Sequence, residues 1–111
     1  MERYCIVQQM LPSAARTTDG ETNGYDFGDA TECLLMVEVT AASGAGKQLD
    51  VIVQTSHDNV NWFDHSTFSA ITDTGNFIDS VTQYGKYLRV SYKITGTTPS
   101  FTFKITAVRK T

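Results

Sequence analysis

Apolar and polar residues alternate with a period of two along most of the chain. No window of about eleven residues repeats apolar positions at helical spacing without a glycine or a β-branched interruption. The alternation predicts a first strand over residues 3–10, ended by Pro12. Residues 13–31 are polar and carry Asn23-Gly24, a strong turn signal, so they read as a long connection with room for a short strand near Tyr25 and Phe27. Strands follow over 32–42, 48–56, 62–71 and 76–82, separated by turns at 43–47, 58–61 and 73–75. The strand over 62–71 is less regular than the others and reads as bulged.

The last two strands are the clearest. Leu88, Val90, Tyr92 and Ile94 share one face of 86–95, and Phe101, Phe103, Ile105 and Ala107 share one face of 100–108. Closing a hairpin through Thr95–Pro99 pairs Ile94 with Phe101 and Tyr92 with Phe103, so every inward residue meets another inward residue. The whole pattern predicts an all-β, antiparallel two-sheet β-sandwich of seven or eight strands, jelly-roll or immunoglobulin-like. It forms a single domain over 1–111, with 1–31 a partly irregular N-terminal strand and long connection. Trp62, Val51, Val53, Leu88, Val90, Tyr92, Phe101, Phe103 and Ile105 are the expected core.

Composition narrows the function classes. Charged residues are 19% of the 111, below the quarter or so of an ordinary soluble domain. Thr and Ser fill the difference, which suits a pleated surface partly covered by neighbours. A net charge of −3 argues against a domain that binds nucleic acid through its phosphates. Residues 1–64 hold ten acids and three bases, and residues 65–111 two acids and six bases. Such a dipolar chain suits docking to copies of itself or to a partner. The apolar run after Met1-Glu2-Arg3 is too short for a cleaved signal, and no segment has the length of a membrane span. The expectation is a protein made in a cytoplasm, not secreted by a cleaved signal, that meets no membrane. Cys5 and Cys33 sit in apolar runs and read as two buried thiols, although the sequence leaves their redox state open.

No motif supports catalysis, a metal or a cofactor. Ser43-Gly44-Ala45-Gly46-Lys47-Gln48 lacks the first glycine and the Ser or Thr of a phosphate loop, and it leads into a strand. His57 and His65 flank one turn without a third ligand or a nucleophile. Asp58, Asn59, Asn61 and Asp64 are oxygen-rich but lack an EF-hand's spacing, and turn capping explains them as well. Asp19, Glu21, Asp26, Asp29 and Glu32 form an acidic stretch that reads as solvated or partner-facing. The expected interaction surface is the outward side of the 86–108 hairpin, where Tyr87, Arg89, Lys93 and Lys104 gather with no acid in either strand.

Several runs taken together resemble a group of small proteins encoded in the structural modules of tailed-phage genomes. They are Val39-Thr40-Ala41-Ala42-Ser43-Gly44, Leu49 through Ser56 followed by Asp58 and Trp62, and Tyr87 through Tyr92 followed by Gly96 through Phe103. The resemblance spans about residues 34–108 and leaves the first thirty unmatched. It implies a non-enzymatic virion structural protein, a decoration or cement protein on the outer head surface. Its partners would be the major capsid protein, copies of itself, or both, without nucleic acid. The same turns resemble discoidin-type carbohydrate-binding domains, so a glycan- or receptor-binding module on the virion is an alternative, as is a head–tail or tail accessory component.

Overall fold

A computed structural model describes residues 5–28, 30 and 32–110, and of Cys5 only the backbone. Seven strands occur among the described residues: β1 Cys5–Arg16, β2 Gly20–Glu21, β3 Tyr25–Asp26, β4 Glu32–Ser56, β5 Phe63–Thr67, β6 Gly75–Thr82 and β7 Tyr87–Lys110. All pairing is antiparallel, and the described residues form no helix. Hydrogen bonds join every strand into one sheet of order β1-β7-β4-β5, with β2 and β3 on β7 and β6 on β4. The observed connectivity is thus one continuous sheet.

Its spine is a ribbon of β4 and β7, paired from Glu32↔Lys110 to Ser56↔Tyr87. The two turns expected at 43–47 and 95–99 are therefore corrected. Neither reverses the chain; they lie opposite each other, with Ala45 paired to Thr97, as bulges in strands that continue. Ile94 pairs with Leu49 and Phe101 with Ala42, not with one another. Close approach of the two bulges explains their glycines. A Cβ on Gly44 (φ +113°) would stand 2.8 Å from the Pro99 Cα, and one on Gly96 (φ +130°) 2.9 Å from the Lys47 Cα.

Straight strands of 24 and 25 residues would run roughly 80 Å, yet the longest dimension is 49 Å. The ribbon folds over at its bulges. Tyr92 and Phe103, on opposite sides of the bend, place their ring centroids 5.2 Å apart, and Arg109 Nη1 donates to the Asp26 carbonyl at 3.1 Å. Two leaves result. The first consists of Glu32–Ser43 with Ser100–Lys110, flanked by β1 and β6; the second of Gln48–Ser56 with Tyr87–Thr95, flanked by β2, β3 and β5.

Alternate residues of both leaves point into one apolar cluster. Leu35, Val37, Phe101, Phe103, Ile105 and Ala107 enter from the first leaf, and Leu49, Val51, Val53, Leu88 and Val90 from the second, all with no exposed surface. Tyr92 is only half-buried at the margin of the cluster, beside the bend, with the Arg16 guanidinium over its ring. Trp62 is also corrected: it lies outside the core. It precedes β5 in irregular backbone, so the alternation of the strand does not extend to it.

The N-terminal region differs from expectation too. β1 passes through Pro12, because an edge strand with register shifts at Leu11 and Ala14 has no ladder bond for proline to break. The polar stretch after β1 then lies along β7. Its side chains take up backbone donors there: Asp19 Oδ1 accepts from the Ile94 N–H at 2.8 Å and Thr22 Oγ1 from the Val90 N–H at 3.0 Å. Phe27, in the same stretch, is wholly buried.

Candidate interaction surfaces

The ribbon separates the residues expected to form one basic patch. Tyr87, Arg89 and Lys93 lie on the second leaf, and Lys104 on the first. Their neighbours across the ladder come from β4, whose outward positions carry acids and an amide. Lys104 Nζ sits 3.3 Å from Glu38 Oε2, and Lys93 stands opposite Asp50. Arg89 is the most enclosed: Nε donates to Gln54 Oε1 at 2.7 Å, Nη2 lies 3.4 Å from Glu21 Oε2, and the guanidinium rests 4.5 Å from the Trp62 ring centroid. Gln54 Nε2 in turn donates to Asp64 Oδ1 at 2.9 Å. A polar chain Asp64–Gln54–Arg89–Glu21 thus crosses β5, β4, β7 and β2. The unneutralised patch is corrected, because the hairpin that would have created it does not form.

The same geometry reassigns the acidic stretch. Asp19 caps Ile94, Glu21 faces Arg89, and Asp26 lies 3.7 Å from Lys86 while accepting from the Gly28 N–H. Asp19 and Glu21 serve β7 and Asp26 the residue just before it; Asp29 lies outside the described residues. Beside them is an open depression of about 860 Å³ between the 26–30 segment and residues 83–86. Tyr84 Oη bridges it by donating to the Phe27 and Ala30 carbonyls at 3.2 and 3.1 Å, so the depression's floor is tied to its wall.

The 56–63 turn is locked by its own side chains. Asp58 Oδ1 accepts from the Val60 and Asn61 amides and from Ser56 Oγ, each at 2.9 Å, and Oδ2 accepts from Asn61 Nδ2 at 2.9 Å. The amide hydrogen bonds from Asn61 and Val60, with those of the Asn61 and Ser56 side chains, hold its carboxyl well below the usual carboxylate range. Those oxygens cap the loop, and no group of three or more His, Cys, Asp and Glu gathers among the described residues. The two histidines diverge. His57 lies near Phe63, with ring centroids 6.5 Å apart, whereas the His65 Nε2–H donates to the Thr82 carbonyl at 2.8 Å. This rigid turn presents Val60 and Phe63 to solvent, 74% and 58% exposed.

The sequence reading missed that tip, although Val60 within Asp58-Asn59-Val60-Asn61 is an apolar residue where a turn offers it no burial. The contact of Arg89 with the Trp62 ring was also not legible, because it depends on the β4–β7 pairing. Cys33 is buried, which pushes its thiol up to about 11 and leaves it unreactive at neutral pH.

No protein-family model matches the chain, and no curated protein matches it. Solved structures do. The crystal structure of PBSX exported protein XepA superposes with a TM-score of 0.68 at 14% identity, over 94% of this chain and 36% of XepA. The chain therefore spans about a third of that protein's length. The SPBc2 prophage-derived protein YomS superposes with a TM-score of 0.55 at 15% identity, over 97% of this chain and 96% of YomS. A protein of Bacillus endospore appendages, described as a novel family of disulfide-linked pili, gives a TM-score of 0.52 at 10% identity, over 97% and 83% of the two chains. At identities this low the superpositions show a shared fold alone.

Proposed function

We propose that this chain is a non-enzymatic virion structural protein, a sandwich-like body that docks on the outer surface of a phage head and cements neighbouring capsid subunits. The observation that carries this reading is the 56–63 turn. A loop fixed by its own hydrogen bonds while exposing a valine and a phenylalanine is pre-organised for contact, and burying those side chains on a partner costs little conformational entropy. The likeness to two prophage-encoded proteins supports a phage setting. Repetition over a symmetric shell turns a small contact into firm attachment. A stacking site for sugars is less well served, because the Arg89 guanidinium already lies over the Trp62 ring.

Co-sedimentation with intact capsids tests the proposal. The wild-type chain should pellet with capsids and saturate, while a Val60→Ser, Phe63→Ser double variant should stay in the supernatant with an unchanged melting temperature. Pelleting with isolated tails alone would place the chain among tail components, and undiminished capsid binding by the variant would remove the turn from the contact.

A further inference from the structure

The outward side of the first leaf is finished differently from the rest of the surface. Register places Val7, Val108, Leu34 and Ser80 in one outward row and Gln9, Thr106, Met36 and Ile78 in the next. Val7 and Ile78, on the two edge strands, are 69% and 61% exposed, and Leu34, Met36 and Val108 between them are half-buried. Five of these eight outward residues are apolar, a band that runs obliquely across the four strands beside Gln9, Thr106 and Ser80. Charges close it at both ends, always with the base on β7 and the acid on β4: Lys104 beside Glu38 at one end, and Lys110 opposite Glu32 at the other.

That arrangement selects its own partner. We infer that this face packs against the same face of a second copy of the chain, about a two-fold axis running parallel to the strands between β7 and β4. Such an axis lays β7 of one copy over β4 of the other, so Lys104 meets Glu38 and Lys110 meets Glu32, while Val108 covers Leu34. A two-fold axis across the strands would instead lay β7 over β7 and bring lysine onto lysine, which costs energy once water is excluded. Stacked sheets rotate by about 30° relative to one another, which moves the end residues by roughly one strand spacing, within the reach of a lysine side chain. Four strands over four outward rows give roughly 400 Å² per copy, about half of what a stable dimer usually buries on each partner. The pair should therefore be reversible in dilute solution and firm only where many copies are held close together. The inference is independent of capsid binding, because it concerns the first leaf and the free protein.

Sedimentation equilibrium of the purified chain, from micromolar concentrations to about 1 mM, tests it. A monomer–dimer equilibrium should appear and weaken as salt rises. Ile78→Lys should raise the dissociation constant at least roughly tenfold with the melting temperature unchanged. Should that variant fold poorly, Val7→Lys provides the same reading from the opposite edge. Lys104→Glu alone should weaken the dimer, and adding Glu38→Lys to it should restore the dimer. A chain monomeric at every concentration, or dimers insensitive to Ile78→Lys and Val7→Lys, would overturn the proposal.

Discussion

The two leaves are built from one ribbon and share one alternation, yet their outer faces differ. On the second leaf, Asp64, Gln54, Arg89 and Glu21 join hands across four strands and Trp62 lies against Arg89, so the face is completed by its own side chains. On the first leaf five of the eight residues in the two middle outward rows are apolar, and charge stands only at the ends. The contrast shows that inward alternation fixes which residues form the core, while the outward positions are free to differ from leaf to leaf. One face carries its own complement, and the other is the face for which a second copy is proposed.

The largest effect should come from what the leaves share. Phe103 is wholly buried on the first leaf but packs edge-on against Tyr92 of the second. Phe103→Ala should cost about 3–5 kcal/mol, read by denaturant unfolding as one cooperative loss. Separate transitions for the leaves would break the picture of a common core. Next comes the bend that makes two leaves out of one ribbon. Gly96→Ala should cost roughly 1–3 kcal/mol, because φ is +130° and the new methyl would meet Lys47 backbone. A hairpin tip open to solvent would tolerate it far better.

The closed face can be tested by a double-mutant cycle. Trp62→Ala and Arg89→Ala should couple by about 0.5–1 kcal/mol, the size of a partly screened cation–π contact. Additive losses would mean that the stacking contributes nothing to stability. The smallest effect at neutral pH concerns Asp58. Its carboxyl is held below the usual range in the folded chain, so the stability it supplies is complete above its unfolded value of about 3.9 and falls away as pH drops below that. Melting curves should show Asp58→Ala less stable than wild type at pH 7, with the gap narrowing toward pH 2. A gap independent of pH would assign the loss to something other than the carboxylate.

Much of the fold was legible because the inward residues are the same for either pairing. A hairpin closed at 95–99 and a ribbon continuing past it both bury Leu88, Val90, Phe101 and Phe103. Period-two alternation identifies the face of a strand but not the strand beside it, so the pairing of β4 with β7 was beyond it. Glycine-rich stretches compounded this, since a turn and a bulge ask for the same residues. The basic patch failed with the hairpin that defined it. The stretch 13–31 read as a connection because its order depends on Asp19 and Thr22 meeting amides of β7, contacts between residues 68 and 75 positions apart. The exposed tip was within reach, as Val60 and Phe63 are apolar and adjoin a turn rich in capping residues.

Cryo-electron microscopy of capsids incubated with the protein tests the account most directly. Regularly placed copies on the outer head surface are expected, with Val60 and Phe63 of the 56–63 turn against the shell. Bare heads under saturating protein, or copies seated with Val60 and Phe63 turned away from the shell, would contradict the proposal.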